Sequence, residues 1–294
     1  MVAWGDFVTV ALYVKVFDGI VLATDSATTL SRQGFLGIGK TDQVYNNADK
    51  IFHLHRQLPV AAMTWGLGVV GPASISSLSK SLRLGLMGRD AGYSDGPLDV
   101  GDYTVQDVAK RVSKMFGQAA RDTGWAKWPS ELGYLVTGIS SDHAQAEAWL
   151  LRFSGKELEP EPEQVLTENQ YGFRAYAQPE AVNRLFNGYD DRLAGYIIQS
   201  GVQQGLSPEQ AKEQVSTVLT KFHLDPVQEG MPLPDAIALA RFMVETTEGY
   251  ARYRVGPDTV GGPVEVASIS PHEGFKWISR KHYFSSALNP GEQP

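Results

Sequence analysis

Three groups of residues have types and spacings that could do chemistry. Gly34–Thr41 reads GFLGIGKT and matches G-x-x-x-x-G-K-[ST], in which backbone amides cradle phosphate while the lysine and hydroxyl address phosphate and Mg²⁺. That device needs an apolar strand ending at its first glycine and a helix opening at its lysine. Here SATTLSRQ precedes Gly34, TDQVYNNAD carries no apolar stripe, and the nearest acidic strand end is Asp142 after LVTGISS. The segment therefore reads as a Gly-rich surface loop, with a P-loop NTPase kept as the alternative. Gly66–Gly71 reads GLGVVG, after an apolar run and before a helical one, with Asp90 at the distance of a ribose contact. RDAGYSDGPLDVGD stands where the next strand of a dinucleotide-binding unit should lie, so these glycines read as a tight strand-to-helix connection. His53 and His55 alternate along a short strand, and without a third ligand the pair reads as an exposed strand face rather than a metal site. No metal and no cofactor is expected.

The elements that would position such groups must come from a well-packed chain. Of 294 residues, 43% are apolar and 20% charged, as in a folded protein with a sizeable core. The 33 acidic residues outnumber the 26 basic ones, giving a net charge of −7, and no run of Lys or Arg offers nucleic acid or an anionic membrane a footprint. Zero cysteines remove disulfides, thiolate metal sites and cysteine nucleophiles. The start MVAWGDFVTVALYVKVFDG has no basic opening, and Lys15 and Asp18 cut its apolar run, so a cytoplasmic location is expected.

Val8–Val16 and Gly19–Asp25 read as a hairpin about an Asp-Gly turn, and Lys50–His55 with Pro59–Trp65 as a second strand pair. Helical spacing runs through Pro72–Leu86 and through Thr104–Arg121, where Thr104 and Asp107 stand as a capping pair. Gly133–Ser140 and Ala144–Ser154 form another hairpin, and GKELEPEPEQVLTENQ reads as a charged connection. Helices are predicted over Glu180–Gln199, Ser207–Phe222 and Pro234–Tyr253, and closing strands over Pro263–Ser270 and Phe275–Lys281. Strands, helices, strands, helices, strands is the order of antiparallel sheets covered by helices in layers, not of a doubly wound parallel sheet.

Thr9-Val10-Ala11, Asp18 to Ser26, Asn47-Ala48-Asp49-Lys50-Ile51-Phe52 and Met63-Thr64-Trp65-Gly66 resemble successive motifs of proteasome β-type subunits. These are N-terminal nucleophile hydrolases, here in a divergent bacterial-type form. LPDAIALA at 233–240, Asp258, Gly261-Gly262 and VEVASI at 264–269 extend the likeness to the other end of the chain. The resemblance implies an α+β fold, a four-layer αββα sandwich with two antiparallel sheets, over a single domain 1–294. Residues 1–8 would be a propeptide, 31–46, 89–102 and 155–222 insertions, and 288–294 a tail.

The family's nucleophile is a threonine hydroxyl at a mature N-terminus, where its own α-amine can act as base. By motif, the resemblance assigns Thr9 as nucleophile, Lys50 beside it, Asp25 orienting the lysine, the Gly66 amide as oxyanion donor and Asp258 as a supporting carboxylate. It implies a threonine protease acting on peptides or unfolded proteins, a homo-oligomeric ring and, by analogy, an ATPase regulator of unknown kind. A noncatalytic subunit of the same fold is the alternative. The sequence departs from the family in four places: Val8 precedes Thr9 where a glycine is usual, Tyr176-Ala177-Gln178 replaces a Gly-Ser-Gly, Val260 precedes Gly261 where Ser or Thr is usual, and Asp258 lies one residue closer to the glycine pair.

Overall fold

A computed structural model describes residues 9–33, 40–45, 47–89, 95–254 and 260–281. The first hairpin forms as its sequence predicts, β1 (Val10–Val16) turning at Phe17-Asp18 into β2 (Gly19–Thr24). Every residue of both strands is buried, which is why VALYVKV lacks the polar alternation of a half-exposed strand. Val10, Leu12 and Val14 face one side of the sheet, Ala11 and Tyr13 the other. β3 (Thr28–Gln33) and β4 (Lys40–Tyr45) make a separate antiparallel ribbon. β5 (Ile51–His53) and β6 (Val60–Gly66) follow, then a small ribbon of β7 (Val69–Val70) and β8 (Ala73–Ser74) that leads into α1 (Ile75–Leu86).

α2 (Val105–Asp122) is capped by Thr104, whose hydroxyl accepts the Asp107 amide at 3.0 Å. β9 (Leu132–Gly138) and β10 (Glu147–Phe153) are the third hairpin. The charged connection after it contains β11 (Glu163–Leu166) and leads to β12 (Gly172–Ala177). α3 (Glu180–Phe186), α4 (Asp191–Gln203), α5 (Pro208–Leu219) and α6 (Leu233–Arg252) precede the final strands β13 (Glu265–Ser270) and β14 (Gly274–Ser279).

Two five-stranded antiparallel sheets result, ordered β12-β1-β2-β13-β14 and β11-β10-β9-β6-β5. Tyr13, Leu22, Met63, Leu135, Leu150 and Ile269 fill the space between them. Leu82 of α1 and Val108 and Phe116 of α2 pack with Phe52 and Tyr134 on the outside of the second sheet. Ala240, Met243 and Val244 of α6 cover Leu12, Val14 and Val21 on the outside of the first. This is the expected α+β, four-layer αββα sandwich. Lys15 continues the parity of Ala11 and Tyr13 into the inter-sheet layer, 0% exposed, where its ammonium donates to Thr167 O at 3.0 Å and to Glu168 O. Burial holds its pKa down at about 8, against the raising charges of Glu168 and Glu147.

The structure corrects several element boundaries. The single helix predicted over Glu180–Gln199 is two, because Gly188 takes a left-handed φ of 76° and Asp190 caps a new helix through the Leu193 amide at 2.9 Å. Asp190 also accepts from Arg184 at 2.6 Å and from Arg192 at 3.2 Å. Pro72–Ser74 belongs to a turn and ribbon, so the helix there starts at Ile75. Lys40 opens a strand paired to Gln33 rather than a helix, which takes the strand–loop–helix geometry away from the P-loop alternative; residues 34–39 lie outside the described residues. Gly66–Gly71 runs through the β7–β8 ribbon inside antiparallel structure, as a connection and not a dinucleotide-binding turn, while Asp90 lies outside the described residues. His53 stacks on Phe275 with ring centroids 4.2 Å apart, and His55 is buried, so neither stands on an exposed face. Among the described residues no group of His, Cys, Asp and Glu could hold a metal ion, and no helix is long and apolar enough to cross a membrane.

Candidate active site

Strand directions bring the predicted residues to one end of the sandwich. Thr9 precedes β1, Asp25 follows its antiparallel partner β2, and Lys50 precedes β5, so all three sit at strand ends. Thr9 Oγ1 donates to Asp25 Oδ1 at 3.0 Å, and Lys50 Nζ donates to the same oxygen at 2.8 Å. The amide of Val10 also reaches that oxygen, at 3.1 Å. Oδ2 accepts the amides of Ala27 and Gly261, each at 3.1 Å. Asp25 is thus completely buried yet receives five donors, three backbone amides and two side chains.

Gly261 reaches Asp25 because the 260–263 turn is clamped to the end of β2. Ser26 N donates to Gly261 O at 3.0 Å, and Ser26 Oγ to Pro263 O. Gly66 closes β6 with φ of 85°, and a Cβ there would meet Glu131 O at 2.4 Å. Its preceding neighbour by ladder parity, Thr64, donates its amide to Lys50 O at 3.0 Å. Amides two apart in a strand point the same way, so the Gly66 N–H projects on the side from which Lys50 enters. Four of the five predicted site residues, Thr9, Asp25, Lys50 and Gly66, therefore lie at one end of the two sheets, and Asp258 lies outside the described residues.

The surroundings of Lys50 oppose its charged form. Burial is the largest influence on Lys50 and lowers its pKa, and the charge of Lys281 lowers it further; Asp25 and Glu265 act in the opposite sense. Glu265 Oε2 accepts the Lys50 amide at 3.4 Å and lies 3.7 Å from Lys281 Nζ, which also donates to Ala48 O. On α6, Glu248 has a buried Oε1 with no hydrogen-bond partner among the described residues. Burial, then the charges of Asp25 and Glu245, push its carboxyl up to about 7, with Lys50 opposing.

Glu248, Glu265 and Lys281 are absent from the predicted site, and Ala177 enters the sequence reading only within the Tyr176-Ala177-Gln178 departure. Glu265 leaves a trace there, a charged residue inside PVEVASIS whose burial would need a partner. Ala177, paired to Val10, holds a left-handed φ of 67°, the only non-glycine residue described with a positive φ. The next amide, Gln178 N, donates to Thr9 O at 3.1 Å, so this turn grips the backbone of Thr9. Tyr176, just before it, stacks on Trp65 with ring centroids 4.5 Å apart. A cavity of about 610 Å³ opens at the opposite end of the sandwich, between Phe17, Asp18, Tyr103 and His272, and no described site residue lines it.

Two antiparallel sheets between helical layers make a proteasome-like α+β fold. Among solved structures the chain is similar to the Anbu (Gly-1) mutant from Hyphomicrobium sp. strain MC1, at 14% identity over 94% of this chain and 89% of that one, with a TM-score of 0.50. It is also similar to Anbu, an ancestral beta-subunit, from Yersinia bercovieri, at 13% identity over 93% and 88%, with a TM-score of 0.47. No family model and no curated protein matches the sequence. At such identities the likeness speaks for the fold.

Proposed function

We propose that the chain is a proteasome-like threonine hydrolase that cleaves peptide amide bonds through Thr9 after removal of residues 1–8. The observation that carries this reading is the convergence of Thr9 Oγ1 and Lys50 Nζ on one oxygen of the buried Asp25, at 3.0 and 2.8 Å. Thr9 Oγ attacks the scissile carbonyl carbon, and its proton passes to the unprotonated Lys50 amine or to the α-amine that processing would free. The Gly66 amide donates to the oxyanion. Collapse breaks the C–N bond, the leaving amine takes the proton, and water then hydrolyses the ester on Thr9. Glycine at 66 suits this role, since backbone must approach the substrate without a side chain.

Assembly into a homo-oligomer forms part of the proposal. α4 has no buried residue and exposes Leu193, Tyr196 and Ile197, an apolar stripe for a further copy. The test is intact mass after expression, followed by treatment with a threonine-directed β-lactone. Loss of residues 1–8 with one adduct on Thr9, absent in Thr9→Ala, is expected. A stable full-length chain that takes no adduct leaves the noncatalytic subunit as the reading; Val8 before Thr9, where the family has glycine, is the feature that favours it.

A further inference from the structure

Behind Lys50 lies a second buried ion pair that the catalytic proposal does not use. Glu265 stands at the start of β13 with its side chain 1% exposed, and Lys281 follows β14 with its side chain 3% exposed. Isolated surface pairs of this kind contribute little, but buried ones are expensive to desolvate and are kept where their charge or geometry serves something. Their contacts run to the segment that delivers Lys50. Glu265 Oε2 accepts the Lys50 amide at 3.4 Å and Lys281 Nζ donates to Ala48 O, so the pair holds residues 48–50 by backbone at two points. On the other flank of that segment, Asp49 Oδ2 accepts from Ser76 at 3.1 Å and from Lys80 at 3.2 Å.

From this geometry we infer that Glu265 and Lys281 are positioning residues for Lys50, fixing its segment and setting the charge beside it. The inference rests on the reading of Lys50 as the group that handles the Thr9 proton. A base must give up its own proton first. Lys281 presents a like charge that favours the neutral amine, while Glu265 presents an opposite charge that favours the ammonium. The other charges facing Lys50 are Asp25 after β2 and Glu248 on α6, while Asp49 acts on Glu265 and Lys281 themselves. The two members of the pair therefore pull Lys50 in opposite directions, and their balance sets the pH at which Thr9 becomes reactive.

The test is the rate of Thr9 adduct formation with the β-lactone, read by intact mass on the processed full chain across pH. Lys281→Gln should move the rising limb of the profile to higher pH by about one unit, a roughly tenfold loss of rate below the limb. Glu265→Gln should move it to lower pH. Each variant tests the inference without the other, should one fail to fold. Lys281→Arg, which keeps the charge, should restore the wild-type limb. Superimposable limbs, or a uniform loss of rate with no displacement, would overturn the inference and leave the functional reading intact. A wild-type chain that takes no adduct at any pH overturns that reading and the inference with it, a result distinct from the first.

Discussion

Asp25 accepts hydrogen bonds from five donors with none of its surface exposed, which makes it the residue whose loss the structure tolerates least. Asp25→Ala leaves Lys50 buried without its partner and three backbone amides without acceptors, so stability should fall by roughly 3–5 kcal/mol. Urea denaturation at neutral pH measures this. Glu248 behaves differently, because it gains a proton on folding. Its carboxyl sits at about 7 against an ordinary 4.5, so the unfolded chain releases the proton first and the stabilisation present below pH 4.5 is lost as the pH rises towards 7. Glu248→Gln should flatten the pH dependence of the melting temperature over that interval; an unchanged slope counts against the assignment. His53 has the opposite sign. Burial holds it down at about 4, so acidification from its ordinary 6.5 weakens the fold, and His53→Phe should remove that acid sensitivity.

Among the elements, the turn at the end of β12 carries strain that a small change would relieve. Ala177 occupies left-handed backbone beside Thr9, at a cost of about 1 kcal/mol that glycine escapes. Ala177→Gly should therefore raise stability slightly by the same denaturation measurement. The sequence marks 176–178 only as a departure from Gly-Ser-Gly, since alanine gives no sign of an unusual φ. Elements with strong local chemistry were legible in sequence: the β1–β2 hairpin from its Asp-Gly turn, α2 from its threonine cap, α5 from Ser207 and Gln210, which form a capping box. Of the edge strands, β5 and β14 were legible and β11 and β12 were not. β11 and β12 lie in charged or mixed sequence and are held by pairing to β10 and to the distant β1, so no local period announces them. The Gly188 break between α3 and α4 was hidden because apolar residues continue in helical phase across it.

At the scale of the molecule, each layer of the sandwich is filled from both sides, while α3, α4 and α5 leave apolar groups in water. Leu193 is 48% and Tyr196 75% exposed. If copies meet through this surface, Tyr196→Glu with Leu193→Glu should reduce the mass seen by light scattering, with melting of the single chain unchanged because neither side chain packs on the core. An unaltered mass would place the association elsewhere. The candidate site was legible only through motifs scattered from Thr9 to Gly261, since no local spacing brings Lys50 to Asp25; strand ends in two different sheets do that. The pairing of Glu265 with Lys281 became visible only once β13 lay beside β2 and β14 beside β13.

Lys15, at the end of β1 farthest from Thr9, gives that strand something hydrophobic packing cannot, a fixed position along its own axis. Apolar side chains on a buried strand are nearly interchangeable under translation, and a two-residue slip preserves which face each side chain occupies. Such a slip would carry Thr9 about 7 Å from Asp25. It would also tear the Lys15 ammonium from the carbonyls of Thr167 and Glu168 and leave it bare between the sheets. On the proposed removal of residues 1–8, the anchor at the other end would hold the new terminus in register. The buried lysine thus acts as an end-stop that keeps the Thr9 hydroxyl at Asp25.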